Sequence, residues 1–345
     1  MTVGFEPVPR VITAPIQKSD LAMIAPMHDS MTRRKLMLGC AASAMLLLAG
    51  GDTGARARQN AAIPYLVSVD WLADRIERAE SNLLVMDVSD LRSYRDAHIP
   101  GAIHSFWLET VERDYDVFGT VLNQKNSDSD EDGQGKRLAW LRRHGIGPQT
   151  HVVAYDRNDG LRAARIVWFL RFLGHERVSM LDQGFEGWSS SGAATSTGEE
   201  TPPEVTTDPV VTPLQGFYIG TDELEELIRA NSITLVDIRS DDQRQDTIDG
   251  QFEIGAIPGS IRAPWNDAAF DVTAWPEAFD PAAALTRLQE TGIDPNARVV
   301  LYGLFGSDCD QMWVVLKAAG IEDVVIYDRG WAEWSRFGLI SVPIT

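Results

Sequence analysis

Cysteine is almost missing from this chain. Its 345 residues include two, Cys40 and Cys309. Cys40 falls in a stretch read below as a leader, so the working chain keeps one thiol. A single thiol excludes an internal disulfide and a zinc site of the multi-cysteine kind. Positive charge is also scarce: 31 Lys and Arg against 50 Asp and Glu leave a formal charge of -19. Phosphate would be repelled along most of such a surface, which argues against nucleic-acid binding. Histidine offers no metal site either. His98, His104 and His175 stand with no Cys, Glu or second His at ligand spacing and are read as structural. No metal and no cofactor is expected. A long apolar run is absent too: the stretch from Leu36 to Ala49 is too short for a comfortable membrane span.

What remains is an ordinary globular composition of a length that suggests two domains. The acidic residues are diffuse apart from Asp128-Ser129-Asp130-Glu131-Asp132, expected to be a solvated loop. The first 57 residues read as an address. Thr32-Arg33-Arg34-Lys35-Leu36 resembles a twin-arginine signal, and Ala55-Arg56-Ala57 fits a small-x-small cleavage pattern ending at Ala57. Residues before Met31 read as an extended start and carry no fold assignment. The expectation is export to the periplasm or beyond, with no stable membrane span in the mature chain.

The mature region repeats itself. Leu83-Leu84-Val85-Met86-Asp87 is answered by Ile233-Thr234-Leu235-Val236-Asp237, each a buried-strand run ending in an acid. Ile99-Pro100-Gly101-Ala102 is answered by Ile257-Pro258-Gly259-Ser260. The strands His151–Asp156 and Val299–Gly303 each lead into an apolar helix, Ala163–Leu173 and Gln311–Ala319. Asp182-Gln183-Gly184-Phe185-Glu186-Gly187-Trp188 is answered by Asp328-Arg329-Gly330-Trp331-Ala332-Glu333-Trp334. Corresponding points lie 146 to 158 positions apart in one order, which is a domain duplication. Alternating strands and helices predict α/β units around parallel sheets with helices on both faces. Ser68 and Thr221 are the expected caps of the first helix in each copy. The boundaries are 1–57 for the leader, 58–188 for the first domain, 189–213 for a Ser-, Thr-, Gly- and Pro-rich linker, and 214–345 for the second domain.

These four ordered, paired motifs resemble the rhodanese (sulfurtransferase) family in its tandem two-domain form, over nearly all of residues 64–340. The resemblance implies a catalytic C-terminal domain and a non-catalytic N-terminal one. It also implies sulfur transfer from thiosulfate or 3-mercaptopyruvate through a cysteine persulfide on the loop that follows the strand beginning at Val299 in the second copy. Such a loop, ending at a helix N-terminus, points backbone N–H groups inward and lowers the pKa of a cysteine placed there. At the matching positions this chain has Asp156 in copy one and Gly303 in copy two. The acid is what the family implies for a non-catalytic domain; the glycine is not what it implies for a catalytic one.

The candidate binding loop is Gly303-Leu304-Phe305-Gly306-Ser307-Asp308. It holds no cation, and Leu304 and Phe305 are expected to line an apolar mouth. Asp237 and Arg239 match the family's Asp-x-Arg strand end and are open to two roles, loop orientation with anion contact or a structural ion pair. Asp87 lacks an Arg two positions on, and Arg92 is the candidate partner. Arg157, Arg162 and Arg165 are expected around the copy-one loop, Arg165 as scaffold. The tryptophans Trp168, Trp188, Trp265, Trp331 and Trp334 read as packing.

Two functions stay open. One is an exported, rhodanese-like binding module impaired in sulfur transfer, taking a small anion or a protein partner. The other is an active sulfurtransferase that uses Cys309, placed six residues late at the helix start, as its sulfur carrier. A thiol there is either partly activated by the helix terminus or packed and inert.

Overall fold

Strands buried on both faces must be apolar throughout, and the repeated runs supply them. The computed structural model describes residues 63–110, 131–157, 160–245, 253–265, 280–336, 339 and 341–343. The leader, residues 128–130 of the acidic run and residues 111–127 lie outside the described residues. The first copy forms β1 (Leu66–Val67), β2 (Leu83–Asp87), β3 (Ile103–His104), β4 (His151–Tyr155) and β5 (Val178–Leu181). The second forms β6 (Tyr218–Ile219), β7 (Ile233–Asp237), β8 (Ile261–Arg262), β9 (Arg298–Tyr302) and β10 (Val324–Tyr327). Two five-stranded parallel sheets result, ordered β1-β5-β4-β2-β3 and β6-β10-β9-β7-β8. The order is the same in both, so the repeat in sequence is a repeat in topology. Register places Asp87 opposite Tyr155 and Asp237 opposite Tyr302. Each strand-end acid therefore stands beside the last residue before its loop.

Helices follow the periodic segments. The first copy carries α1 (Val69–Glu77), α2 (Leu91–Asp96), α3 (Glu131–Arg143), α4 (Leu161–Phe172) and α5 (Gly184–Ser190). The second carries α6 (Thr221–Arg229), α7 (Asp241–Gln245), α8 (Pro281–Glu290), α9 (Asp310–Ala318) and α10 (Gly330–Arg336). Ser68 caps α1, its side chain accepting from Trp71 N at 3.2 Å. Thr221 does not cap α6; Gly220 does, without a side-chain bond. Thr221 is the first helical residue, and its hydroxyl bonds Tyr327 Oη at 2.9 Å instead. The acidic run is also corrected in part: Glu131 and Asp132 open α3.

α4 and α9 are buried nearly all round, because each packs on its own sheet and on the other helix. An aromatic seam joins the two copies. Trp168 stacks on Phe172 at 5.3 Å, Phe217 meets Trp313 at 5.3 Å, and Tyr65 meets Trp313 edge-on at 5.6 Å. Each such pair contributes about 0.5–1.5 kcal/mol beyond its buried area. One apolar cluster runs through both sheets. The segment between the copies lies against the first: Ser196 bridges His98, Arg142 pairs with Asp208 at 2.5 Å, and Thr212 N donates to Leu173 O at 3.1 Å.

Candidate functional site

β9 delivers the chain to Gly303, and the loop then folds back on itself. A 3-10 turn, Gly306–Cys309, precedes α9. Asp308 points back across that turn, and its Oδ2 accepts from Phe305 N at 3.1 Å. The backbone of Leu304 also favours the ionised form of this carboxyl. A Cβ built on Gly303 would lie 2.8 Å from Asp308 Cβ, 2.9 Å from Phe305 O and 3.3 Å from Asp308 Oδ2. The space into which a side chain at 303 would project is thus filled by Asp308. Although Asp308 is only half-buried as a residue, desolvation pushes its carboxyl up to about pKa 6, against the backbone of Phe305 and Leu304, which favours ionisation.

The loop is pinned from behind. Trp331 N donates to Gly303 O at 2.9 Å and Ala332 N to Leu304 O at 3.1 Å. Gly306 lies flat on the next turn, where a Cβ would meet Asp328 O at 2.2 Å. Ser307 is half-buried in the turn. Leu304 and Phe305 do not form an open mouth. Leu304 is buried among Val300, Tyr302, Tyr327 and Trp331, and Phe305 packs partly against that cluster. The anchored carbonyls of 303 and 304 draw both residues inward.

Cys309 is fully buried and belongs to the apolar cluster. Burial first, then the acids Asp308, Asp310, Asp237 and Asp328, raise its thiol well above the ordinary value. This is the reverse of the depression a nucleophilic thiol needs. The helix begins at Asp310 and turns the thiol of Cys309 into the core.

The first copy solves the loop differently. Asp156 occupies the position after β4, and its carboxylate accepts from Gly160 N at 3.1 Å and Ala163 N at 3.0 Å. Both loops therefore hold a carboxylate of their own chain on their N–H groups, from position 156 in one and 308 in the other. The strand-end acids show the same substitution of source. Asp237 takes Arg239 Nε at 2.9 Å and Nη2 at 2.7 Å, while Arg244 Nε lies 3.3 Å away. Arg239 also donates to Gly255 O at 2.8 Å and sits 4.4 Å over Trp331. In the first copy Arg157, not Arg92, holds Asp87 at 2.9 Å, donates to Ala97 O and lies 3.9 Å over Phe185. Arg92 is exposed and reaches only Asp96, at 3.9 Å. Ala97 and Gly255 precede corresponding motifs, as Phe185 and Trp331 follow corresponding glycines. Arg239 is fully buried in its pair with Asp237, as its counterpart Arg157 is nearly buried in the pair with Asp87.

Two matches to the rhodanese-like domain model, over residues 68–191 and 220–337, cover both copies. The chain belongs to the rhodanese-like family. It is similar to the 3-mercaptopyruvate sulfurtransferase of Rattus norvegicus, 30% identical over 291 residues, spanning 78% of this chain and 91% of that protein. It is also similar to the sulfur carrier protein TtuD of Thermus thermophilus, 28% identical over 292 residues, spanning 81% and 95%. Among solved structures it shares its fold with SseA of Escherichia coli, a 3-mercaptopyruvate sulfurtransferase, with a TM-score of 0.61 at 19% identity over 78% of this chain and 99% of that one.

An ion pair crosses the seam between the two rhodanese-like domains. Arg165 of α4 reaches Asp310 at the start of α9, at 3.2 Å with both residues buried. Arg165 thus serves the second domain's loop rather than the first's. Sequence patterning missed Asp310 and Arg244, and placed Arg157 at the first loop without its pairing to Asp87. His98 Nδ1 bonds Tyr94 O at 2.9 Å, His104 Nε2 bonds Ser89 O at 2.9 Å, and His175 Nε2 bonds Thr150 O at 3.0 Å. Among the described residues no group of His, Cys, Asp and Glu could hold a metal ion, and no helix is long and apolar enough to cross a membrane.

Proposed function

We propose that this protein keeps the rhodanese fold without persulfide chemistry and acts as an exported binding module. The observation that carries the reading is Asp308. Its carboxyl occupies the N–H of Phe305 and the space beside Gly303 that a nucleophilic side chain would need. A persulfide carrier needs an accessible thiol of lowered pKa. Cys309 is buried and shifted the opposite way. The same argument opposes the carrier role named for the Thermus relative. A small oxyanion entering the loop would have to displace Asp308, so a protein partner suits the sealed form better than a free anion.

The test is thiosulfate-to-cyanide and 3-mercaptopyruvate sulfur transfer by the chain from residue 58 onward, with intact mass after thiosulfate exposure. No turnover and no added sulfur are expected. Appreciable turnover that disappears in Cys309→Ala would overturn the reading. Export is checked by fusing residues 1–57 to a reporter: replacement of Arg33 and Arg34 by Lys should keep it in the cytoplasm.

A further inference from the structure

Asp310 is held on one side only. Its Oδ2 accepts from Arg165 Nη1, while Oδ1 is buried with no hydrogen-bond partner. Arg165 Nε is likewise buried without an acceptor, its Nη2 reaching Thr110 O at 3.5 Å. A carboxylate with one bare oxygen in a low-dielectric seam is costly, and a proton on that oxygen removes the charge while leaving Oδ2 as a weaker acceptor for Arg165. Asp237, by contrast, has donors on both oxygens.

The surroundings of Asp310 pull in both directions. Arg165 from α4 favours ionisation. Asp308 from the 3-10 turn and Asp328 after β10 oppose it, and Asp237 at the end of β7 adds to the acidic field around the intervening Cys309. Burial outweighs Arg165, so the carboxyl is pushed up to about pKa 7.

We propose that Asp310 is a proton-sensitive site at the seam between the two domains, taking a proton on Oδ1 that removes its uncompensated buried charge and so stabilises the folded seam relative to the unfolded chain. The inference stands whether or not the loop transfers sulfur. The direction follows from linkage. The folded value lies above the ordinary 3.8, so the native state keeps a proton that the unfolded chain has lost. The stabilisation is complete below the unfolded value and is lost as pH rises through about 7. One such group changes the unfolding constant by up to about tenfold per pH unit within that window. Asp308 acts in the same sense over a lower range, ending at about 6.

The experiment is urea unfolding of the chain from residue 58 onward, from about pH 4 to about pH 8. The readout is the difference between wild type and Asp310→Asn, because His151 and His175, kept neutral by burial, add stability to both proteins as pH rises. Relative to Asp310→Asn, wild type should lose stability as pH rises toward neutrality; a difference that stays constant across the range overturns the proposal. Should Asp310→Asn fail to fold, carboxyl-carbon NMR of the wild type decides. An Asp310 resonance titrating near neutrality supports the proposal, and one titrating in the ordinary aspartate range sinks it.

Discussion

Placing a thiol at position 303 should not by itself restore a reactive loop. In Gly303→Cys the new Cβ would sit 2.8 Å from Asp308 Cβ and 2.9 Å from Phe305 O, whereas ordinary contact begins at 3.4 Å. The side of the loop carrying Asp308 must open by about 0.6 Å, the difference between 3.4 and 2.8. Overpacking of this kind costs about 1–3 kcal/mol. For a chain of this size that is about 2–4 °C in Tm for each kcal/mol. The thiol would also find the N–H of Phe305 already committed to Asp308, with an acid beside it. Both effects keep its pKa from falling. Replacing Asp308 by Gly as well removes the Cβ and Oδ2 contacts and frees that N–H, leaving the clash with Phe305 O. Asp308→Ala would not suffice, because it keeps the Cβ. The assay is iodoacetamide alkylation near neutral pH in a Cys309→Ala background. The double change should react about tenfold faster than Gly303→Cys alone, since a lowered pKa raises the thiolate fraction. It alone should gain one sulfur atom on exposure to thiosulfate. Equal alkylation rates would refute the idea that Asp308 seals the site.

Three further outcomes follow from the same geometry. Arg239→Ala leaves buried Asp237 only the backbone N–H of residue 239 and Arg244, so denaturant unfolding should show a loss of about 3–5 kcal/mol, and Arg239→Lys should not recover it because the two-pronged bond and the stacking on Trp331 are lost. Cys309 should resist aromatic disulfide reagents in the native chain from residue 58 onward and react fully in urea; rapid native labelling would contradict its burial. Gly306→Ala drives a methyl to within 2.2 Å of Asp328 O, a backbone atom, and should destabilise by about 3 kcal/mol in the same unfolding assay; a neutral result would mean that the loop does not rest on that turn.

The fold was legible because its signals are local and doubled. Apolar runs ending in Asp87 and Asp237 made strands, and Ser68 capped its helix through its own third neighbour. Thr221 was misassigned because the cap preference of a hydroxyl competes with its longer-range partner Tyr327, 106 positions away. The site was legible only as a lineup. Spacing located Gly303 and Asp156 but not where Asp308 points, which depends on a 3-10 turn that offsets the acid across the loop. Arg92 looked like the partner of Asp87 because it is near in sequence, whereas Arg157 arrives from 70 positions on. The Arg165–Asp310 pair spans 145 positions and exists only because α4 and α9 pack together. Leu304 and Phe305 read as a mouth because apolar residues in a loop suggest a binding face; the bonds from Trp331 and Ala332 fold them inward instead.

The two domains also explain why Gly303 does not read as a simple gap. A strand-to-helix loop that points its N–H groups inward must satisfy them, or bear the cost of buried, unpaired donors. In the first domain Asp156 supplies the acceptor from the position after the strand. In the second that position is glycine, and Asp308 supplies the acceptor from the far side of the loop. The glycine and the acid belong together. With a side chain at 303, Asp308 could not reach the N–H of Phe305 without a clash, and without Asp308 a glycine would leave it bare. The same exchange of source holds Asp87 with Arg157 and Asp237 with Arg239, on corresponding carbonyls and corresponding rings. What is repeated between the domains is therefore the set of bonds rather than the residues that make them. A change that restores one residue must be judged by the bonds it breaks.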